Sequence, residues 1–105
     1  MIIKSNQAKL REFYGVTFQV LAVGPKSMVC KMLFKNTDCV PTHAHPNEQS
    51  GYVISGRYRL QFENYDQVLE PGDSYAIAEN VEHSFEVLES GEVIDVFTPP
   101  RKDYL

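Results

Sequence analysis

The chain contains three histidines, and two of them, His43 and His45, stand one residue apart in the stretch PTHAHPNEQSGYVISG. On extended backbone, side chains at i and i+2 project to the same face, so this spacing offers two imidazoles together. Gln49 joins them if the strand continues past Pro46. The third histidine, His83, opens the apolar run HSFEVLE, where Phe85 and Val87 alternate with it toward a core. Alone, His83 has a second reading as a core histidine hydrogen-bonded to backbone. With the other two it forms a candidate site for one divalent transition ion, because neutral imidazoles and an oxygen donor suit zinc, nickel, manganese and iron alike.

A second cluster lies in EVIDVFTPPRKDYL. Val93, Asp95 and Phe97 share one strand face, with Ile94, Val96 and Thr98 on the other. An aspartate set among apolar neighbours is a strand-edge charge, the partner of an arginine, or a buried or cavity-lining carboxyl that needs a partner or an altered pKa. Pro99-Pro100 ends the strand and stiffens the exit, so Arg101 emerges at a defined place. There it is either a solvated arginine or a clamp for a planar anion, which its guanidinium matches in bidentate fashion.

The elements that must carry these residues are strands. Pro and Gly punctuate the sequence about every ten residues, and the pieces between alternate or are rich in β-branched and aromatic residues, which is the pattern of an all-β sandwich or barrel. Eight strands are expected, at Val16–Val23, Ser27–Phe34, Gly51–Ser55, Arg57–Glu63, Gln67–Glu70, Ser74–Ala78, His83–Glu89 and Glu92–Thr98, a number that suits a jelly roll or small closed barrel. Tyr58, Leu60 and Phe62 should face a core, as should Met28, Cys30, Met32 and Phe34. Turns are expected at Pro71-Gly72-Asp73 and at Asn80. The 105 residues make one domain, 1–105, with a polar lead-in over about residues 1–12 that has room for a helical turn or two in Asn6–Glu12.

With 43% hydrophobic and 23% charged residues the chain has the composition of a globular protein, and its net charge of −4 argues against a general basic surface for nucleic acid or anionic membrane. The first fifteen residues contain no apolar run of signal-peptide or membrane-span length, so a cytoplasmic location is expected. Cys30 and Cys39 lack CxxC spacing and read as reduced thiols.

HAHPNEQSGYVISG resembles the first motif of the cupin superfamily, with His43, His45, Gln49 and Gly56 at the motif positions, and PGDSYAIAENVEH resembles the second, with Gly72 and His83. The resemblance implies a cupin-type double-stranded β-helix, a jelly-roll barrel, with His43, His45, Gln49 and His83 as ligands of a single divalent ion. Gln49 stands where many members have Glu, and the neighbouring Glu48 would replace it only through a local bulge. The ending D-x-F-x-P-P-R is similar to that of the small cupins of the pectin-degradation protein family, which act on unsaturated uronates. It implies functional roles for Asp95, Phe97 and Arg101, an anionic sugar as substrate and a linear keto product. A metal-dependent dioxygenase and a non-catalytic sugar- or effector-binding cupin are the alternatives. A homodimer is expected, formed through the apolar N-terminal strand or the Ile94/Val96 face.

Overall fold

A computed structural model describes residues 1–105. After a 3-10 turn at Ser5–Gln7 come ten strands: β1 (Lys9–Phe13), β2 (Val16–Val23), β3 (Met28–Phe34), β4 (Cys39–His43), β5 (Glu48–Val53), β6 (Arg57–Phe62), β7 (Tyr65–Leu69), β8 (Ser74–Ile77), β9 (His83–Glu89) and β10 (Gly91–Thr98). A second 3-10 turn, Lys102–Tyr104, ends the chain. The strands form two antiparallel sheets, one of order β1-β2-β3-β10-β5-β8 and one of order β4-β9-β6-β7, packed face to face around a core. No helix is long and apolar enough to cross a membrane.

The alternation in sequence is the alternation in burial. Met28, Cys30, Met32 and Phe34 point inward from β3, Tyr58 and Leu60 from β6, and Phe85 and Val87 from β9. Phe34 stacks on Phe85 at 5.3 Å between ring centroids, and the buried Tyr58 hydroxyl donates to the Ser55 carbonyl at 2.7 Å, so its polar end is satisfied inside the core. Cys30 lies in this core and Cys39 on the surface, both as free thiols. Gly72 and Asn80 take positive φ at the two expected turns.

Two strands were not expected, and β5, β7 and β10 start earlier than expected, at Glu48, Tyr65 and Gly91. The lead-in is not a helix: beyond the single 3-10 turn, Lys9–Phe13 pairs along β2 from Lys9↔Val20 to Phe13↔Val16. As an edge strand with most of its side chains in solvent, β1 needs no apolar alternation, so its sequence reads as polar coil. β4 contains Pro41, which is tolerated because β4 is also an edge and its pairing with β9 is irregular between Val40 and His43. β5 begins at Glu48 rather than Gly51, and its inward positions are Gln49, Gly51 and Val53.

These pairings bring one end of the barrel together. His43 closes β4 directly opposite His83, which opens β9, and Gln49 near the start of β5 lies opposite Phe97 near the end of β10. The two-residue turn Tyr14-Gly15 between β1 and β2 sets Phe13 and Tyr14 beside the same opening.

Candidate metal centre

His43, His45 and His83 each present a ring nitrogen, and these three atoms lie within 4.8 Å of one another. The ring centroids are 5.6 Å apart for His43 and His45, 4.4 Å for His43 and His83, and 4.9 Å for His45 and His83. Every one of the rings is oriented by a backbone carbonyl two residues away. Nδ1 meets the Pro41 oxygen at 2.9 Å in His43, the Asn47 oxygen at 3.0 Å in His45 and the Val81 oxygen at 2.9 Å in His83. A carbonyl only accepts, so Nδ1 carries the proton of the neutral ring and Nε2 is left with a free lone pair, the form in which histidine binds metals.

Burial favours that neutral form. It lowers the pKa of His43 and of His45, the latter with help from the Arg101 charge, and it pushes His83 down to about 4. Because ligation requires neutral imidazole, protons compete for His83 only well below the ordinary histidine value of about 6.5. A bound ion is therefore expected to stay in place as the pH falls through that value and to leave only at lower pH. Dialysis at stepped pH followed by elemental analysis checks this, and release near 6.5 would contradict it.

Gln49 presents an oxygen to this cluster. Its Oε1 lies 3.1 Å from His45 Nε2, while hydrogen bonding from Gln49 also favours the carboxylate form of Asp95. With the His45 proton on Nδ1, the Nε2–Oε1 contact sets two lone pairs face to face, an arrangement that a cation held by both relieves. Three imidazole nitrogens and one amide oxygen fit a divalent transition ion on this ground, and a cavity of about 30 Å³ lined by His43, Gln49, His83 and Asp95 leaves room for one ion or water. Glu48 is exposed on the opposite face of β5, with no bulge to exchange it for Gln49.

Asp95 and Phe97 point inward from β10, next to this cluster. Asp95 is buried, and burial raises its carboxyl to about 6 against the opposing effects of hydrogen bonds from Tyr75 and Gln49 and of the Arg101 charge. Tyr75 donates to Asp95 Oδ1 at 2.5 Å. Phe97 meets the His45 ring edge-on at 5.6 Å.

Of the two readings of Arg101, the solvated one does not hold. It is 3% exposed, with its guanidinium 4.0 Å above the Tyr104 ring and 5.0 Å and 5.3 Å from the rings of Phe13 and Phe97. Its fork already holds a carboxylate: Nη2 and Nε donate to the two Asp103 oxygens at 2.6 Å and 3.2 Å, and Nη1 donates to the Tyr104 hydroxyl at 3.1 Å. The turn Lys102–Tyr104 folds these partners back, so the arginine is enclosed by its own C-terminal neighbours.

Above the cluster opens a cavity of about 650 Å³, lined among others by Phe13, Tyr14, His43, His45, Arg101 and Asp103, large enough for a small sugar. Sequence reasoning missed Asn47, Tyr75, Asp103 and Tyr104. Asn47 accepts from His45 through its carbonyl and donates through Nδ2 to the Pro99 carbonyl at 2.7 Å, tying the histidine loop to the strand exit. For Tyr75 a signal existed, since alternation in SYAI puts it on the same face as Ile77, which is buried.

Residues 32–97, more than half of the chain, match the family model described as Cupin domain, and the chain belongs to that family. Among solved structures, an RmlC-like cupin from Shewanella frigidimarina is 27% identical with a TM-score of 0.91, covering 99% of this chain and 95% of its own. KdgF from Halomonas sp. is 25% identical with a TM-score of 0.89, covering 100% and 98%. The oxalate decarboxylase of Lactobacillus farciminis, at 19% identity and a TM-score of 0.79 over 90% of this chain and 31% of its own, shares the fold. No curated protein matches the chain by sequence.

Proposed function

We propose that this cupin is a metal-dependent enzyme that opens unsaturated uronates to linear keto products. The observation that carries the reading is the meeting, at one barrel mouth, of a three-histidine and glutamine cluster with a buried carboxyl of raised pKa and a guanidinium walled by aromatic rings. The likeness to KdgF covers the whole chain, so the C-terminal segment that supplies Asp95, Phe97 and Arg101 is part of the shared architecture.

The chain's own groups divide the work. His43, His45, Gln49 and His83 would hold the ion, which when bound supplies a Lewis acid that polarises or orients a substrate oxygen. Phe97, 1% exposed beneath the opening, backs the Arg101 guanidinium and the His45 ring, at 5.3 Å and 5.6 Å. Asp95, whose carboxyl titrates at about 6, holds or releases a proton near neutrality and moves it as the enol-type double bond takes up water or tautomerises and the ring opens. Arg101 takes the uronate carboxylate in bidentate fashion.

That last role requires an exchange, because Asp103 occupies the fork in the free protein. Its side chain is 56% exposed, so it can swing to solvent as the substrate carboxylate arrives. Asp103→Asn is therefore expected to lower KM by up to about fivefold, the equivalent of a partly exposed ion pair worth about 1 kcal/mol, with kcat little changed. Initial-rate kinetics check this, and a raised KM would show that Asp103 assists binding.

The proposal is tested by following the absorbance of a 4,5-unsaturated uronate with protein of known metal content, with oxygen uptake recorded alongside. Loss of the conjugated absorbance without oxygen uptake supports ring opening. Oxygen uptake by the iron-loaded protein with the uronate untouched would replace it with a dioxygenase, and a purified chain with neither metal nor turnover would replace it with a binding module.

A further inference from the structure

Asp95 lies in a cross-strand row that runs from Cys30 on β3 through Asp95 on β10 and Gly51 on β5 to Tyr75 on β8. Tyr75 and Asp95 are thus two strands apart, with Gly51 between them. Side chains on one face of neighbouring strands stand side by side, and any residue with a side chain at position 51 would separate these two. Glycine leaves the gap: a Cβ placed there would overlap both the ring and the hydroxyl of Tyr75. The phenol therefore lies across the bare backbone of β5 and reaches Asp95 Oδ1 at 2.5 Å. On its outer side the same ring walls a separate groove of about 420 Å³, lined also by Leu60, Phe62, Leu69 and Ala76.

We propose that Tyr75 is the positioning residue of Asp95, anchoring one carboxyl oxygen from behind the site so that the other faces the cavity, and that Gly51 is the gap that makes this reach possible. The proposal rests on the reading of Asp95 as the proton-moving group. Tyr75 itself lines neither the main cavity nor the small cavity at the histidines; its hydroxyl is hydrogen-bonded to Gln49 as well as to Asp95, and the effect proposed runs through Asp95. A carboxyl whose hydrogen-bond partner is lost can rotate away from its reactive orientation, and supporting partners of this kind commonly contribute about 10- to 100-fold in activity.

The test is Tyr75→Phe, which keeps the ring that closes off the groove and removes only the hydroxyl. With the metal-loaded protein, kcat is expected to fall about 10- to 100-fold and KM to stay within about twofold. In an Asp95→Asn background the same change is expected to cost nothing further, because its effect passes through the carboxyl. Gly51→Ala, provided it folds, should give the same loss as Tyr75→Phe and not add to it. Independently of substrate, isotope-edited infrared spectroscopy at one fixed pH should show the Asp95 carboxylate band, identified by its absence in Asp95→Asn, shifted in Tyr75→Phe. An unshifted band, a kcat within about twofold of wild type, or full additivity with Asp95→Asn would each overturn the proposal. If the wild type leaves uronates untouched and the band still shifts, the uronate reading falls and the hold of Tyr75 on Asp95 stands.

Discussion

Asp95→Asn is expected to reduce turnover of an unsaturated uronate by about 10²- to 10⁴-fold while leaving metal content unchanged. The substitution conserves shape, so the packing of the inward face of β10 is kept. It also leaves both polar neighbours able to pair. Gln49 can still donate to the Asn oxygen, and the Tyr75 hydroxyl, which now donates to Asp95 at 2.5 Å, can accept from the new amide. What disappears is a group that exchanges a proton near neutrality, the property that burial confers by raising this carboxyl to about 6. Elemental analysis beside kinetics separates the two effects. Full activity in this variant would remove Asp95 from the chemistry, and loss of the ion would make it a structural support for Gln49.

His83→Ala is the second large effect. It removes one of three imidazoles, and it takes away the ring that faces His43 across the β4–β9 pair. Loss of an outer partner of a ligand alone costs about 10- to 100-fold in metal affinity, so loss of the ligand itself is expected to exceed about 100-fold, and turnover should fall with it. The fold is expected to persist, since the 17-residue apolar core does not include His83. Isothermal titration with zinc or nickel measures the affinity, and circular dichroism checks the fold. Wild-type affinity in the variant would mean that the ion, if bound, sits elsewhere.

The fold was most legible where a strand has one wet face and one dry face. β3, β6 and β9 declare themselves because Met28 to Phe34, Tyr58 to Leu60 and His83 to Val87 alternate cleanly between core and solvent. Edge strands hide. β1 keeps most of its side chains exposed, and β4 carries Pro41, so each meets the requirements of its place in a sheet without the pattern that marks a strand in sequence. At the candidate site, spacing brought forward the histidines, and resemblance pointed to Asp95, Phe97 and Arg101. The remainder depends on register, which a linear reading does not contain. Tyr75 reaches Asp95 only because Gly51 stands between them, and Nδ1 of each histidine is oriented by a carbonyl that side-chain types say nothing about. Pro99-Pro100 indicated a defined place for Arg101 but left open whether it was solvated or a clamp. The turn after it returns Asp103 and Tyr104 to the guanidinium, so the arginine is paired and buried.

The central claim is that the histidine and glutamine cluster holds an ion that the neighbouring carboxyl and guanidinium need in order to act on a uronate. The most direct measurement is the rate of absorbance loss from a 4,5-unsaturated uronate with one preparation of protein in three states: as purified with its metal content known, stripped by chelator, and reloaded with a divalent transition ion. About one equivalent of metal per chain is expected at full activity, with no activity above background after stripping and recovery on reloading. Equal turnover by the stripped protein, or a fully loaded protein that leaves the substrate unchanged, would contradict it.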